Sequence, residues 1–205
     1  APYIALSSDN TLAHISRLFN HIRFVLGQYS FAQVDQGLWY LVSAGGSDYF
    51  HAFADPRVPL KVRLDCLNTT FFVFSVLYTR WCDLVMSSQP GSANIEVNPL
   101  NMTCYMWWDL VPLYANPMTP PEDIDNIERW RATLELQPTI LDVMGRTLAI
   151  DHIACQEAAL HGLGHWHSAY PGEVTAIVDA FLDANPDIPP ELAAYAKAAR
   201  VGNVL

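Results

Sequence analysis

The chain carries few charges and none of the local signatures of the common catalytic sites. Charged residues make up 16% of 205 and apolar residues 51%, where a typical domain is about 25% charged. A chain this apolar builds a core and is not intrinsically disordered. There is no G-x-S-x-G, no G-x-x-x-x-G-K-[ST] and no H-E-x-x-H, so a nucleophile elbow, a phosphate loop and metalloprotease chemistry are not indicated. Gly162-x-Gly164 lacks the third glycine and the preceding strand of a dinucleotide loop. Cys66, Cys82, Cys104 and Cys155 stand 16, 22 and 51 residues apart with no C-x-x-C pair, and they read as reduced, small apolar fillers. No apolar run reaches the ~18 residues of a membrane span. The longest candidate, 64–86, is broken by Asp65, Asn68, Arg80 and Asp83. The chain opens at Ala1 with neither Met nor a signal-peptide pattern, so any targeting segment is expected to have been trimmed or never to have existed, and a cytoplasmic location is expected. Asn68-Thr69-Thr70 and Asn101-Met102-Thr103 match the glycosylation pattern, but each falls within a stretch of helical spacing and reads as chance.

Strand alternation is lacking too, and what fills the chain is helical periodicity. Leu12, Ile15, Leu18, Ile22 and Val25 step by three or four after a polar start at Ser7-Ser8-Asp9-Asn10. Ser30-x-x-Gln33 is a capping-box pattern ahead of Phe31, Val34, Leu38, Leu41 and Val42. A helical turn is expected over 47–54. Leu60, Leu64, Leu67, Phe71, Phe74, Tyr78, Trp81 and Val85 predict a long helix, apolar all round at Phe72, Val73, Val76 and Leu77, that forms the buried spine. The polar stretch 87–99 predicts a flexible loop, followed by a shorter helix through Met102, Tyr105, Trp108 and Leu110. Pro120-Pro121 opens another, Pro138 should kink or split it, Asp151 can cap the next, and Pro171 and Pro189-Pro190 start the last two. The expectation is one all-α domain over 1–205: about eight helices in antiparallel pairs, as an α-solenoid or an irregular bundle.

Glu157-Ala158-Ala159-Leu160-His161-Gly162-Leu163-Gly164-His165, followed by a Pro-started helix pair, resembles the second helix of a HEAT- or armadillo-type repeat. The resemblance covers about residues 122–202, with no repeat of fixed period in the first half. It implies a binding scaffold rather than a catalyst.

Charge points the same way. The net charge is −10, with 8 acidic and 6 basic residues in 1–115 against 13 and 5 in 116–205. Such an acidic half disfavours nucleic acid and is compatible with a basic protein partner. The first functional expectation is therefore a non-enzymatic, acidic protein-binding module, with inhibition of a basic partner in the manner of an immunity protein as one form. Candidate steering residues are Glu122, Asp123, Asp125, Glu128, Asp179, Asp183 and Asp187. Trp107 and Trp108, about 100° apart on a helix, are both buried only if two sides are covered, so one of them is a candidate anchor at a partner surface. A structural subunit of a larger assembly fits the same features.

The alternative expectation is a metal-binding or metal-dependent helical protein. His161 and His165 share a helix face, with His167 just beyond and Glu157 one turn before, and zinc is the implied ion. Glu157 and His165 are ~12 Å apart along a helix axis, so a site of His161, His165 and Glu157 would be a distorted one. Asp151, His152 or Cys155 are the near-sequence options for a further ligand. Without a metal, the histidines read as polar members of a helix end, with Gly162 and Gly164 allowing close packing.

Overall fold

In the computed structural model, which describes residues 6–88 and 98–204, helices are the only regular elements. The expected all-α class is what the chain adopts, with more helical segments than the eight or so anticipated because several expected helices are broken. α1 (Ser8–Asn20) is capped by Ser7 and buries Leu12, Ile15 and Phe19. It stops at His21, and the remaining apolar positions to Val25 form a 3-10 turn, Ile22–Gly27. α2 (Phe31–Val42) begins on the capping box: Ser30 Oγ accepts from the Gln33 N–H and Gln33 Oε1 from the Ser30 N–H. A second 3-10 turn, Tyr49–Ala54, occupies the place expected of a short helix.

The spine is segmented. α3 (Leu60–Asn68), α4 (Thr70–Phe72), a π-helical stretch Val73–Tyr78 and α5 (Thr79–Trp81) follow end to end. In the π stretch the buried set is Val73, Phe74, Leu77 and Tyr78, while Phe72 just before it, and Leu60 at the start of α3, are exposed. The expected burial all round this helix is therefore corrected to one face. Within the expected loop, 89–97 lies outside the described residues. α6 (Pro99–Tyr105) and α7 (Trp107–Leu110) come next. Asn101 is fully buried, and its amide accepts from the Asp83 N–H and donates to the Asp83 carbonyl, pinning the chain after α5.

Pro138 splits the next stretch, with α8 (Ile124–Leu134) ending before it and α9 (Gln137–Leu148) carrying it in the first turn. α10 (Ile153–Trp166) has His152 at its N-cap position, one residue beyond the expected Asp151 cap. α11 (Pro171–Ala184) and α12 (Pro190–Ala199) start on their prolines. α10 is buried on nearly every side because α6, α7, α9, α11 and α12 all pack on it. Among the described residues no helix is long and apolar enough to cross a membrane.

Phe74 links the spine to α7: its ring stacks on Trp108 at 5.9 Å and meets Trp107 and Tyr78 edge-on at 5.7 and 5.4 Å. Phe74→Ala is expected to cost ~3–5 kcal/mol in urea unfolding, and Phe71→Ala, at a half-buried position, distinctly less.

A polar clasp joins the start of α1 to the chain after the second 3-10 turn. Asp55 accepts from the Ser8 hydroxyl at 2.6 Å and from the Arg57 backbone N–H and guanidinium. The Arg57 guanidinium, with the hydroxyl and backbone donors, outweighs burial and holds the Asp55 carboxyl far below the usual carboxylate range. The folded state thus binds fewer protons than the unfolded one, so this stabilisation is full above the ordinary pKa of ~3.9 and is lost as pH falls below it. Melting curves between pH 7 and 3 should show Asp55→Asn less stable than wild type at neutral pH, the gap narrowing below about pH 4.

Candidate functional site

The side chains of α10 that point away from the core's apolar centre form a polar stripe, Glu157, His161 and His165, four residues apart. Their surroundings differ. Glu157 is fully buried and answers the chain after α5: its carboxylate accepts from the Ser87 N–H (2.6 Å), the Ser88 N–H (2.9 Å) and the Ser88 hydroxyl (2.6 Å). It is a structural anchor, not the metal ligand expected from the spacing, because two helical turns separate it from His165 and its oxygens are already engaged.

Asp109 takes the place assigned to Glu157. It follows the two tryptophans on α7, and the helical step of 100° that sends Trp107 and Trp108 inward turns Asp109 toward α10. Its Oδ2 lies 2.9 Å from His161 Nε2 and 3.7 Å from His165 Nε2, and the two Nε2 atoms are 3.2 Å apart. Among the described residues this is the one group of three or more such side chains whose ligand atoms converge. His161 is buried, whereas the His165 and Asp109 side chains are 43% and 27% exposed, so the centre is anchored in the core and opens to solvent.

The far side of His161 is also held. Nδ1 is 2.7 Å from the Tyr195 hydroxyl of α12, which is 3.3 Å from the Tyr105 hydroxyl of α6. The Tyr105 ring lies against the imidazole at 4.2 Å between centroids. Burial pushes both phenols up, each modified by its contact with the other, so both remain neutral hydroxyls at physiological pH. Both His161 ring nitrogens thus have a partner, Asp109 at Nε2 and Tyr195 at Nδ1, with the tautomer setting which side donates. An imidazole nitrogen has one in-plane hydrogen or lone pair, so Nε2 of His161 cannot serve Asp109 and His165 together. A cation on the shared point satisfies all three atoms. Ligands ~2.0–2.1 Å from a tetrahedral zinc lie ~3.4 Å from one another, close to the three separations seen.

The other sequence candidates fall elsewhere. Trp107 and Trp108 are 0% and 3% exposed; α7 is wedged among α2, α6 and α10, so both sides are covered and neither is presented as a partner anchor. His152 and Cys155 sit at the opposite end of α10 from His165, and His167 packs against Gly202, whose positive φ of 71° suits the turn at the chain's end. Glu122, Asp123, Glu128, Asp183 and Asp187 are exposed, near the start of α8 and around the end of α11. Asp179 is instead paired with Arg200 through two contacts of 2.5 and 2.9 Å, and the Asp125 side chain lies outside the described residues.

No protein-family model, curated protein or solved structure matches the chain. The site is therefore read from its own geometry. Asp109, Tyr105 and Tyr195 were invisible to spacing, since each comes from a different helix; the nearest signal was one acid set among the aromatics of 105–108.

The approach of α7 to α10 depends on Gly162. A Cβ there would lie 2.7 Å from the Cβ, Cγ and Cδ1 of Trp108, so a side chain forces α7 outward. Gly162→Ala should destabilise the fold by ~1–3 kcal/mol in denaturant titration. It should also shift the His161 imidazole resonances by displacing Asp109, a change that Gly172→Ala, where a Cβ meets open space, does not produce.

Proposed function

We propose that the chain is a metal-dependent helical protein whose His161, His165 and Asp109 hold a zinc-type divalent cation with one position open. The observation that carries this reading is the meeting of Nε2, Nε2 and Oδ2 within 2.9–3.7 Å of one another, from helices 52 residues apart in sequence. Two neutral imidazoles and one carboxylate suit zinc and its neighbours better than magnesium or calcium, which take oxygen sets. Three protein ligands with solvent access are the arrangement of reactive zinc sites, whereas structural sites are closed by four. A cation held this way supplies Lewis acidity and an acidified water, the chemistry of hydrolysis.

The chain's own residues do the positioning. Tyr195 fixes the His161 ring through Nδ1, as outer hydrogen bonds to ligand histidines do, and the Tyr105 ring covers one of its faces. The exposed side, between Asp109 and His165, is where a substrate approaches. This reading takes precedence over an acidic module for a basic partner because the two tryptophans that would anchor such a partner lie in the core. That alternative rests on the exposed acids of α8 and α11 alone.

Elemental analysis of protein purified without a histidine tag should give about one zinc per chain, and zinc added to stripped protein should raise its melting temperature. His165→Ala and Asp109→Asn should abolish both effects while leaving the helical circular dichroism intact. Tyr195→Phe should weaken the metal about 10–100-fold, the usual cost of an outer-shell partner. Stripped protein that takes up no zinc and gains no melting temperature leaves the histidines with a purely structural role.

A further inference from the structure

The chain between Arg146 and Lys197 holds seven acids and no lysine or arginine. Part of it surrounds a surface cleft of about 640 Å³ at the end of α10 remote from His165, made of side chains that the cation centre does not use. Asp151, His152 and Gln156 line it from the start of α10, and Asn185 and Asp187 from the link between α11 and α12. A cleft of this volume is in the range that takes a small molecule.

The polar side chains of this cleft have acceptors to spare and few donors. Gln156 is 8% exposed and commits its amide N–H to the Leu148 carbonyl at 3.4 Å, which leaves its Oε1 without a partner among the described residues. Asn185 does the same, donating to the Phe181 carbonyl at 2.8 Å with its Oδ1 unpartnered. His152, 6% exposed, has no partner at Nδ1. The carboxylates of Asp151 and Asp187 are exposed and make no hydrogen bond or ion pair among the described residues. Neither is consumed as a helix cap: His152 and Pro189 hold the cap positions of α10 and α12, and no side-chain cap bond forms at either. The rest of the lining is apolar, Leu84, Ile153 and Ile188 being its largest members, and no lysine or arginine takes part.

We propose that this cleft binds an aliphatic polyamine, a run of methylenes carrying two or more ammonium groups. Each part of such a ligand has its counterpart. The ammonium groups are donors only and answer Gln156 Oε1 and Asn185 Oδ1, two acceptors that water alone otherwise fills. Asp151 and Asp187 supply the opposite charge, and the methylenes cover Leu84, Ile153 and Ile188. A single metal ion is a poorer match. Among the described residues only Asp109, His161 and His165 bring three ligand atoms to one point, so the groups of this cleft are spread along it and suit an extended cation. An anion meets two carboxylates and no basic side chain but the imidazole.

The test is calorimetric titration of the full chain with spermidine at low ionic strength. It should show one site per chain whose affinity falls as salt rises, because part of the attraction is between exposed charges. Butanediol, which has the methylenes without the charge, should not bind, and magnesium should not compete. Asp151→Asn and Asp187→Asn should each weaken spermidine several-fold, as loss of a partly exposed ion pair does, and Gln156→Leu, which keeps the volume and removes the acceptor, should weaken it too. Glu173→Gln removes an exposed acid at the opposite end of α11 and should leave the affinity unchanged. The two Asp→Asn changes lie at exposed positions, so their folding survives and their titrations decide the matter even where Gln156→Leu folds poorly. No heat with spermidine, or an equal loss in Glu173→Gln, which signals only diffuse attraction to an acidic surface, would overturn the proposal. So would binding of a lysine-rich peptide but not of spermidine, since the ammonium groups then belong to a protein partner.

Discussion

The missing side chain at Gly162 is the constraint on which the candidate site depends. Two helices usually pack 8–10 Å apart, set by the side chains between them. At Gly162 the indole of Trp108 fills the space that a Cβ would occupy. That contact lets the short α7 lie against α10, and it holds Asp109 within hydrogen-bond distance of His161. The same Trp108 stacks on Phe74, so the position of Asp109 is referred to the centre of the core. Gly164 repeats the device one half-turn on, where a Cβ would meet the Val204 methyls at 2.5–2.6 Å. Glycine costs a helix interior roughly 1 kcal/mol relative to alanine. Here that cost is accepted at two positions of the most buried helix, and packing on both sides returns it.

A second set of choices explains how so lightly charged a chain secures its irregular segments. Buried backbone groups outside helices need partners, and a few buried polar side chains supply them. Arg63, 3% exposed, donates to the carbonyls of Phe53, Val58 and Ala132 and pairs with Glu135, joining the second 3-10 turn, α3 and α8. Gln137 donates to the carbonyls of Leu113 and Ala115 and accepts from the Tyr170 hydroxyl. Glu157 and Asn101 do the same for the chain after α5. Each of these residues looks, in sequence, like an ordinary polar member of a helix.

What could be read from the sequence follows from range. Caps, proline starts and apolar periodicity are local, and the capping box at Ser30, the split at Pro138 and the Pro-started α11 and α12 stand where they are expected. The spine was legible as a helix but not in its rotation, because a π turn is a response to packing and leaves no periodic trace. The His161 and His165 pair was legible because i, i+4 spacing is itself a geometry. Asp109 was not, since a ligand on another helix has no set distance in sequence, and Glu157 filled that gap only while its engagement by Ser87 and Ser88 was unseen. The cysteines follow the same rule: their spacings showed no motif, yet α6 packed along α10 brings the Cys104 sulfur within 3.6 Å of the Ala154 carbonyl.

The choice of a tyrosine rather than a carboxylate behind His161 bears on how the centre works. A carboxylate accepts only, and would hold the ring permanently as the Nδ1–H tautomer. A neutral hydroxyl donates or accepts by rotating, so Tyr195 stays bonded to Nδ1 in either tautomer. With the imidazole proton on Nε2, Tyr195 would donate to Nδ1; were Nε2 to hold a cation, the proton would reside on Nδ1 and Tyr195 would accept it. The Tyr105 hydroxyl beside it can exchange roles in step. Small zinc domains fold only around their metal, but here the aromatic and aliphatic core is complete on its own, and the three converging atoms lie at its edge. A cation held at the three atoms would need no rearrangement of helices, because the His161 imidazole is already set from both sides.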